Sequence, residues 1–142
     1  MFDNCYNGKT VLVTGHTGFK GSWLTAWLMR MGARVVGFSD MVPTQPALFD
    51  LLELSGQIVD IRADVRDLDA VRRAILEHRP DFVFHLAAQP LVSVAYADPV
   101  STYTTNIVGT LAVLDALRSV EWPCVAVMIT SDKCYDNVEW TW

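Results

Sequence analysis

Basic residues and cysteines are scarce in this 142-residue chain, and each shortage excludes a class of function. Eleven Lys and Arg stand against sixteen Asp and Glu, which leaves a formal net charge of −5. An acidic surface offers little to a phosphate backbone or an anionic bilayer, so neither nucleic acid nor a membrane is expected as a partner. The three cysteines, Cys5, Cys124 and Cys134, form no C-x-x-C pair, and His16, His78 and His85 show no ligand spacing. No metal site is expected. Cys124 and Cys134 read as small buried hydrophobes in a reducing compartment. No apolar run reaches bilayer length, and "MFDNCYNGKT" lacks the basic-then-apolar layout of a signal peptide. The expected location is therefore the cytoplasm.

Apolar sequence, by contrast, is plentiful. Hydrophobic residues make up 51% of the chain, enough for a folded core along most of its length. Short β-branched runs alternate with longer helical ones, the pattern of a parallel sheet with crossover helices. Strands are predicted at 9–14, 33–39, 57–63, 80–88 and 124–132. Between them, 21–32 is predicted helical with Leu24, Trp27, Leu28 and Met31 on its buried face and Gly32 at its end. A short helix is expected near 46–54, with Pro46 in its first turn. The helix over 67–78 should bury Leu68, Val71 and Ile75, with Asp67 as N-cap. A long helix over 100–120 should turn Tyr103, Ile107, Leu111 and Leu114 inward. Five strands in this arrangement give a Rossmann-type, doubly wound α/β sheet of order 3-2-1-4-5. Residues 1–142 are expected to form one domain, stopping before a sixth strand.

Between the first strand and helix lies "VLVTGHTGFKGSWL", residues 11–24, with glycines three apart. Gly15 suits a sharp turn off the strand, Gly18 a close approach of backbone amides to a pyrophosphate, and Gly21 tight packing of the helix. The helix start adds free N–H groups and a positive dipole end. This context points to a dinucleotide cofactor. About twenty residues on, "GFSDM" offers Asp40 for the adenine ribose; Ser39 takes that place if the strand ends one residue sooner. Asp40 favours NAD, whereas a serine would tolerate the extra phosphate of NADP. In "RADVRD", Asp64 is placed to accept from the adenine amine and the Val65 amide to address the ring, with Arg66 and Asp67 left to the surface and the cap. Ala87 and Ala88 leave room along the fourth strand's carboxyl end, and His85 reads as a satisfied core histidine.

The glycine spacing, "ADVRD", "HLAAQPLV", "ADPVSTYTTNIVGT" and "TSDKCYDN", in this order, resemble the extended short-chain dehydrogenase/reductase family. Within it the chain is most similar to the N-terminal part of the CDP-glucose 4,6-dehydratases, with "GFKGSW" and "SDK" as the more specific signals. The resemblance implies NAD held by Gly15, Gly18, Phe19, Lys20 and Gly21 at the pyrophosphate, and by Asp64 and Val65 at adenine. Ala87, Ala88 and Gln89 would lie under the nicotinamide ribose, Asn106 would support the active-site backbone, and Thr130 would end the fifth strand beside the nicotinamide. Ser131 falls on the family's catalytic Ser/Thr position. Asp132 and Lys133 fall on the acid/base pair that removes water across sugar C5 and C6, and related dehydratases carry Glu at the Lys133 position.

The implied substrate is CDP-glucose and the implied reaction a dehydration at C5 and C6, in a full-length enzyme that is a homodimer. A proton donor is needed to expel hydroxide from carbon, which suits Asp132 if burial raises its pKa. The family's Tyr-x-x-x-Lys pair is not found: Tyr6, Tyr96, Tyr103 and Tyr135 are followed at that offset by Thr10, Val100, Ile107 and Glu139. The expectation is thus a cofactor-binding portion without the complete catalytic set. Another nucleotide-sugar epimerase or dehydratase, and a non-catalytic dinucleotide-binding module, are the alternatives.

Overall fold

The computed structural model describes residues 2–131 together with 135, 136 and 138. Five parallel strands form one sheet in the order β3-β2-β1-β4-β5. They are β1 (Thr10–Thr14), β2 (Arg34–Ser39), β3 (Val59–Arg62), β4 (Phe82–His85) and β5 (Val125–Met128). The expected Rossmann-type order is the observed one. Each strand is shorter than predicted, by one residue in β1 and β2 and by more in β3, β4 and β5. Thr14 is in register with both Phe38 and His85, so β1, β2 and β4 end at one level. The strand order reverses between β1 and β4, which opens a crevice outside their carboxyl ends.

Helices cover the two faces. On one side, α1 (Phe19–Arg30) packs Leu28 against Val11, Val13 and Val35. On the other, α3 (Leu68–His78) and α6 (Gly109–Leu117) bury Val71, Ile75, Ala112 and Val113 against Leu12, Val36 and Val83. The remaining helices are α2 (Leu48–Leu51), α4 (Val92–Ala97) and α5 (Pro99–Tyr103). Between α5 and α6 the helix widens into a π-helical turn over Thr104–Val108. As expected, the Asp67 side chain caps α3 by accepting the Ala70 N–H at 2.9 Å, and Gly32 follows α1 with φ +82°.

Three of the predicted helix faces need correction. Tyr103, Ile107, Leu111 and Leu114 do not point inward; each is at least 46% exposed. The buried residues of α6 are Gly109, Ala112, Val113 and Ala116. Small side chains let this helix approach closely, and a Cβ on Gly109 would stand 2.6 Å from a Val65 methyl. In α1, Trp27 is exposed and the buried set is Gly21, Ser22, Thr25 and Leu28. In α3, Leu68 is exposed while Ala70 and Ala74 join Val71 and Ile75. Cys124 is half-buried rather than fully enclosed, and Cys134 lies outside the described residues.

Candidate functional site

The glycine turn sits at the point where the strand order reverses, and its three glycines meet different demands. Gly15 has φ +71°, and its N–H donates to the Phe38 carbonyl at 2.8 Å. A Cβ there would lie 2.8 Å from the Ala87 amide nitrogen, so turn and β4 exit touch through bare backbone. A Cβ on Gly21 would come within 2.1 Å of the Gly15 carbonyl oxygen. Gly18 differs. It has φ −70°, and a Cβ would meet nothing nearer than the Gly15 oxygen at 3.4 Å.

The chain itself therefore does not require glycine at position 18; the bare backbone leaves a cradle that a methyl group would begin to fill. Gly18 is also the N-cap of α1, and no side chain caps that helix. The first-turn N–H groups and the positive end of the helix dipole are thus offered to an anion. Phe19 and Lys20, exposed in the same turn, flank this opening, with the Lys20 ammonium favourable to phosphate. These features fit a dinucleotide pyrophosphate.

At the β2 exit, Ser39 is the last strand residue and Asp40 begins the loop. Ser39 Oγ is 2.8 Å from Thr17 Oγ1, and Thr17 donates to the Met41 carbonyl at 2.6 Å, which ties this loop to the glycine turn. Asp40 Oδ1 accepts the Met41 N–H at 2.7 Å and its carboxylate is exposed. Past β3, Asp64 is gripped by Arg66, whose Nε donates to Oδ2 at 2.9 Å, while the Arg66 N–H reaches Oδ1 at 2.8 Å. The guanidinium holds the Asp64 carboxyl below its ordinary pKa. Arg66 is exposed, as expected, and its Nη1 also lies 3.4 Å from Thr104 Oγ1. Val65 is buried in the core.

Residues 86–89 leave β4 along the crevice, held at both ends. Thr14 Oγ1 accepts the Leu86 and Ala87 N–H groups, each at 3.1 Å. Asn106, in the π-helical turn, accepts the Gln89 N–H on Oδ1 at 2.8 Å and donates from Nδ2 to the Gln89 carbonyl at 3.2 Å. The Gln89 side chain is itself tied down, donating to Thr102 Oγ1 at 2.8 Å and accepting the Leu91 N–H at 2.7 Å. Ala88 is exposed on this strip. Thr130 and Ser131 follow β5 at the same end of the sheet, both exposed. Asp132 and Lys133 lie outside the described residues.

A further residue of the glycine turn gives no sequence signal beyond being histidine. The His16 ring is fully buried, 2.9 Å from Asp60 Oδ1 on β3 and edge-on to Phe49. Its seat exists because position 37 is glycine: a Cβ there would lie 2.3 Å from the ring. Burial pushes the His16 pKa down, and the Asp60 carboxylate only partly opposes this. Among the described residues, no three His, Cys, Asp or Glu side chains gather as metal ligands, and no helix is long and apolar enough to cross a membrane.

Comparison with known proteins agrees with this geometry. The CDP-glucose 4,6-dehydratase of Salmonella typhimurium is 49% identical over 98% of this chain, which spans 39% of that protein. The CDP-paratose 2-epimerase of Salmonella typhi is 30% identical over 91% of the chain and 38% of its own length. Among solved structures, the UDP-glucose 4-epimerase of Thermus thermophilus in complex with NAD superposes with a TM-score of 0.69. It is 34% identical, with 78% of this chain and 34% of that one covered. The Stenotrophomonas maltophila UDP-glucose 4-epimerase, with NAD and a formylated UDP-arabinopyranose bound, reaches a TM-score of 0.75 at 28% identity. That match covers 88% of this chain and 38% of the epimerase. Residues 12–141 match the family described as GDP-mannose 4,6 dehydratase, and with its glycine turn at the switch point of a 3-2-1-4-5 sheet the chain belongs to that family.

Proposed function

We propose that residues 1–142 are the NAD-binding domain of a cytoplasmic CDP-glucose 4,6-dehydratase, a hydro-lyase whose full-length form is a homodimer. The observation that carries this reading is the 49% identity to the Salmonella CDP-glucose enzyme, sustained over 98% of the chain. Gly15, Gly18 and Gly21 would hold the pyrophosphate, assisted by Phe19 and Lys20. Asp40 would bind the adenine ribose and favour NAD over NADP, because a carboxylate repels a 2′-phosphate. Asp64 and Val65 would address adenine. Ala87, Ala88 and Gln89 would run under the nicotinamide ribose with Asn106 supporting them, and Thr130 would stand beside the nicotinamide.

When bound, NAD supplies a reversible hydride acceptor for sugar C4. Loss of that hydride from C4, with its hydroxyl proton passing to a general base of the full-length enzyme, would make a carbonyl at C4 and so acidify the neighbouring C5 proton. Ser131 would hold the C4 oxygen by a hydrogen bond. Asp132 would protonate the departing C6 hydroxyl, and Lys133 would take the C5 proton as base. The elements of water would thus leave across C5 and C6, and return of the hydride to C6 would give the 4-dehydro-6-deoxy sugar and restore NAD.

Calorimetric titration of NAD into the purified chain tests the cofactor assignment: saturable binding is expected, and no heat up to millimolar NAD would overturn it. For the reaction, the chain is grafted onto the C-terminal part of the Salmonella relative and supplied with CDP-glucose. A 4-dehydro-6-deoxy sugar is expected. An epimerised hexose would instead favour the second reading, a nucleotide-sugar epimerase, which the CDP-paratose 2-epimerase similarity supports. Binding of NAD without turnover in the graft would leave a non-catalytic dinucleotide module.

A further inference from the structure

The two clamps on residues 86–89 are joined through one buried side chain. His85, 3% exposed at the end of β4, sits with Nδ1 2.7 Å from Thr14 Oγ1 and Nε2 3.1 Å from Thr110 Oγ1. The direction of every hydrogen bond along this line is fixed by counting donors. Thr14 Oγ1 already accepts the Leu86 and Ala87 N–H groups, so its own proton is free to go only outward, to His85 Nδ1. Nδ1 is therefore an acceptor, and the ring proton is on Nε2. Nε2–H then donates to Thr110 Oγ1, whose hydroxyl donates to the Asn106 carbonyl at 2.7 Å. Asn106 is the residue whose side chain holds Gln89 from the other end.

We infer that neutral His85 is a positioning residue that orders the Thr14 clamp, so that protonating it frees the Ala87 end of the 86–89 strip and weakens cofactor binding. The inference rests on the NAD reading above for its last step alone. A proton on Nδ1 would give Thr14 Oγ1 three N–H donors for two lone pairs and leave its hydroxyl proton without an acceptor. The Leu86 N–H retains a second acceptor in the Thr14 carbonyl at 3.2 Å. The Ala87 N–H has no such alternative there, so it is the contact that gives way. The ring bonds Thr14 of β1 and Thr110 of α6, neither of them charged, and Met128 is the β5 residue in register with His85. Burial alone lowers its pKa, in keeping with a ring built to stay neutral.

The test is a pH titration of the 142-residue chain followed by NMR, with ¹⁵N shifts of the imidazole and the backbone amides. The expected result is an Nε2–H tautomer for His85 at pH 7.5. On acidification, the Ala87 amide should shift with the His85 midpoint, more than Gln89, whose Asn106 clamp keeps the same Nε2–H donor behind it, and His85→Gln, which cannot take up a proton, should abolish that step. NAD affinity should fall below the same midpoint by about tenfold in total, as for one lost hydrogen bond, and that step should be missing in His85→Gln. An Nδ1–H tautomer, or amides that stay still while His85 titrates, would overturn the inference. Amides that move as expected in a chain that binds no NAD would uphold the coupling and overturn only the cofactor reading.

Discussion

The methyl group that Gly21 lacks would stand 2.1 Å from the carbonyl oxygen of Gly15, deep inside any allowed contact. Helix α1 and the turn that feeds it are thus locked together backbone against backbone. Gly21→Ala must push the helix off the turn or distort the turn itself. It is expected to destabilise the chain by about 3 kcal/mol or more, toward the severe end of overpacking. Urea unfolding monitored by tryptophan fluorescence measures this, and a loss below ~1 kcal/mol would show that the turn yields easily.

Gly18→Ala should behave in the opposite way. The backbone there has ordinary φ and the nearest atom to a new methyl is 3.4 Å away, so stability should change by less than ~0.5 kcal/mol. NAD binding should nevertheless weaken about tenfold or more, because the methyl enters the cradle in front of the uncapped helix start. Paired calorimetry and unfolding curves separate the two effects. Equal NAD affinity in the variant would place the pyrophosphate elsewhere.

This contrast shows what the sequence made legible. Glycines between a strand and a helix announced the turn and, with the alternation of runs, the sheet. The motif also assigned Gly21 to close packing of the helix, in keeping with the 2.1 Å that a Cβ there would leave to the Gly15 oxygen; its assignment of Gly18 to a pyrophosphate is what the Gly18→Ala titration addresses. Helix faces were harder to read. In α6 the apolar residues run all round, so size was a misleading guide: Ala112 and Ala116 are buried and Leu111 and Leu114 are not. His85 is the satisfied core histidine that its apolar strand suggests, yet its partner 25 residues away, like that of His16 44 residues away, leaves no local pattern. The π-helical turn that aims Asn106 at Gln89 has no periodicity signal either.

Acid should destabilise the chain well before its carboxylates titrate. His16 and His85 are buried and neutral, both with pKa lowered by burial. In the unfolded chain they bind protons near pH ~6.5. Below that value the unfolded state holds more protons than the folded one, so stability falls as pH falls. The slope should reach roughly 1.4 kcal/mol per pH unit for each ring. Asp64 and Asp81, whose folded pKa values are depressed, add their own loss only at lower pH. Denaturant midpoints between pH 7.5 and 5 check this. A flat profile would mean that the folded chain accommodates both protons at no cost.

Strand β5 sets the last expectation. Among the described residues it pairs with β4 alone, and Val125 and Val127 are 54% and 36% exposed beside Phe82 and Phe84. An apolar strand with one free edge is a template for pairing with another chain. Concentration-dependent association of the 142-residue chain is therefore expected in analytical ultracentrifugation. Val125→Lys should shift it toward monomer by placing a charge on that edge, with a change in Tm of no more than about 2 °C. A wild-type chain that stays monomeric at high concentration and unfolds in one sharp transition would show that the edge is already protected.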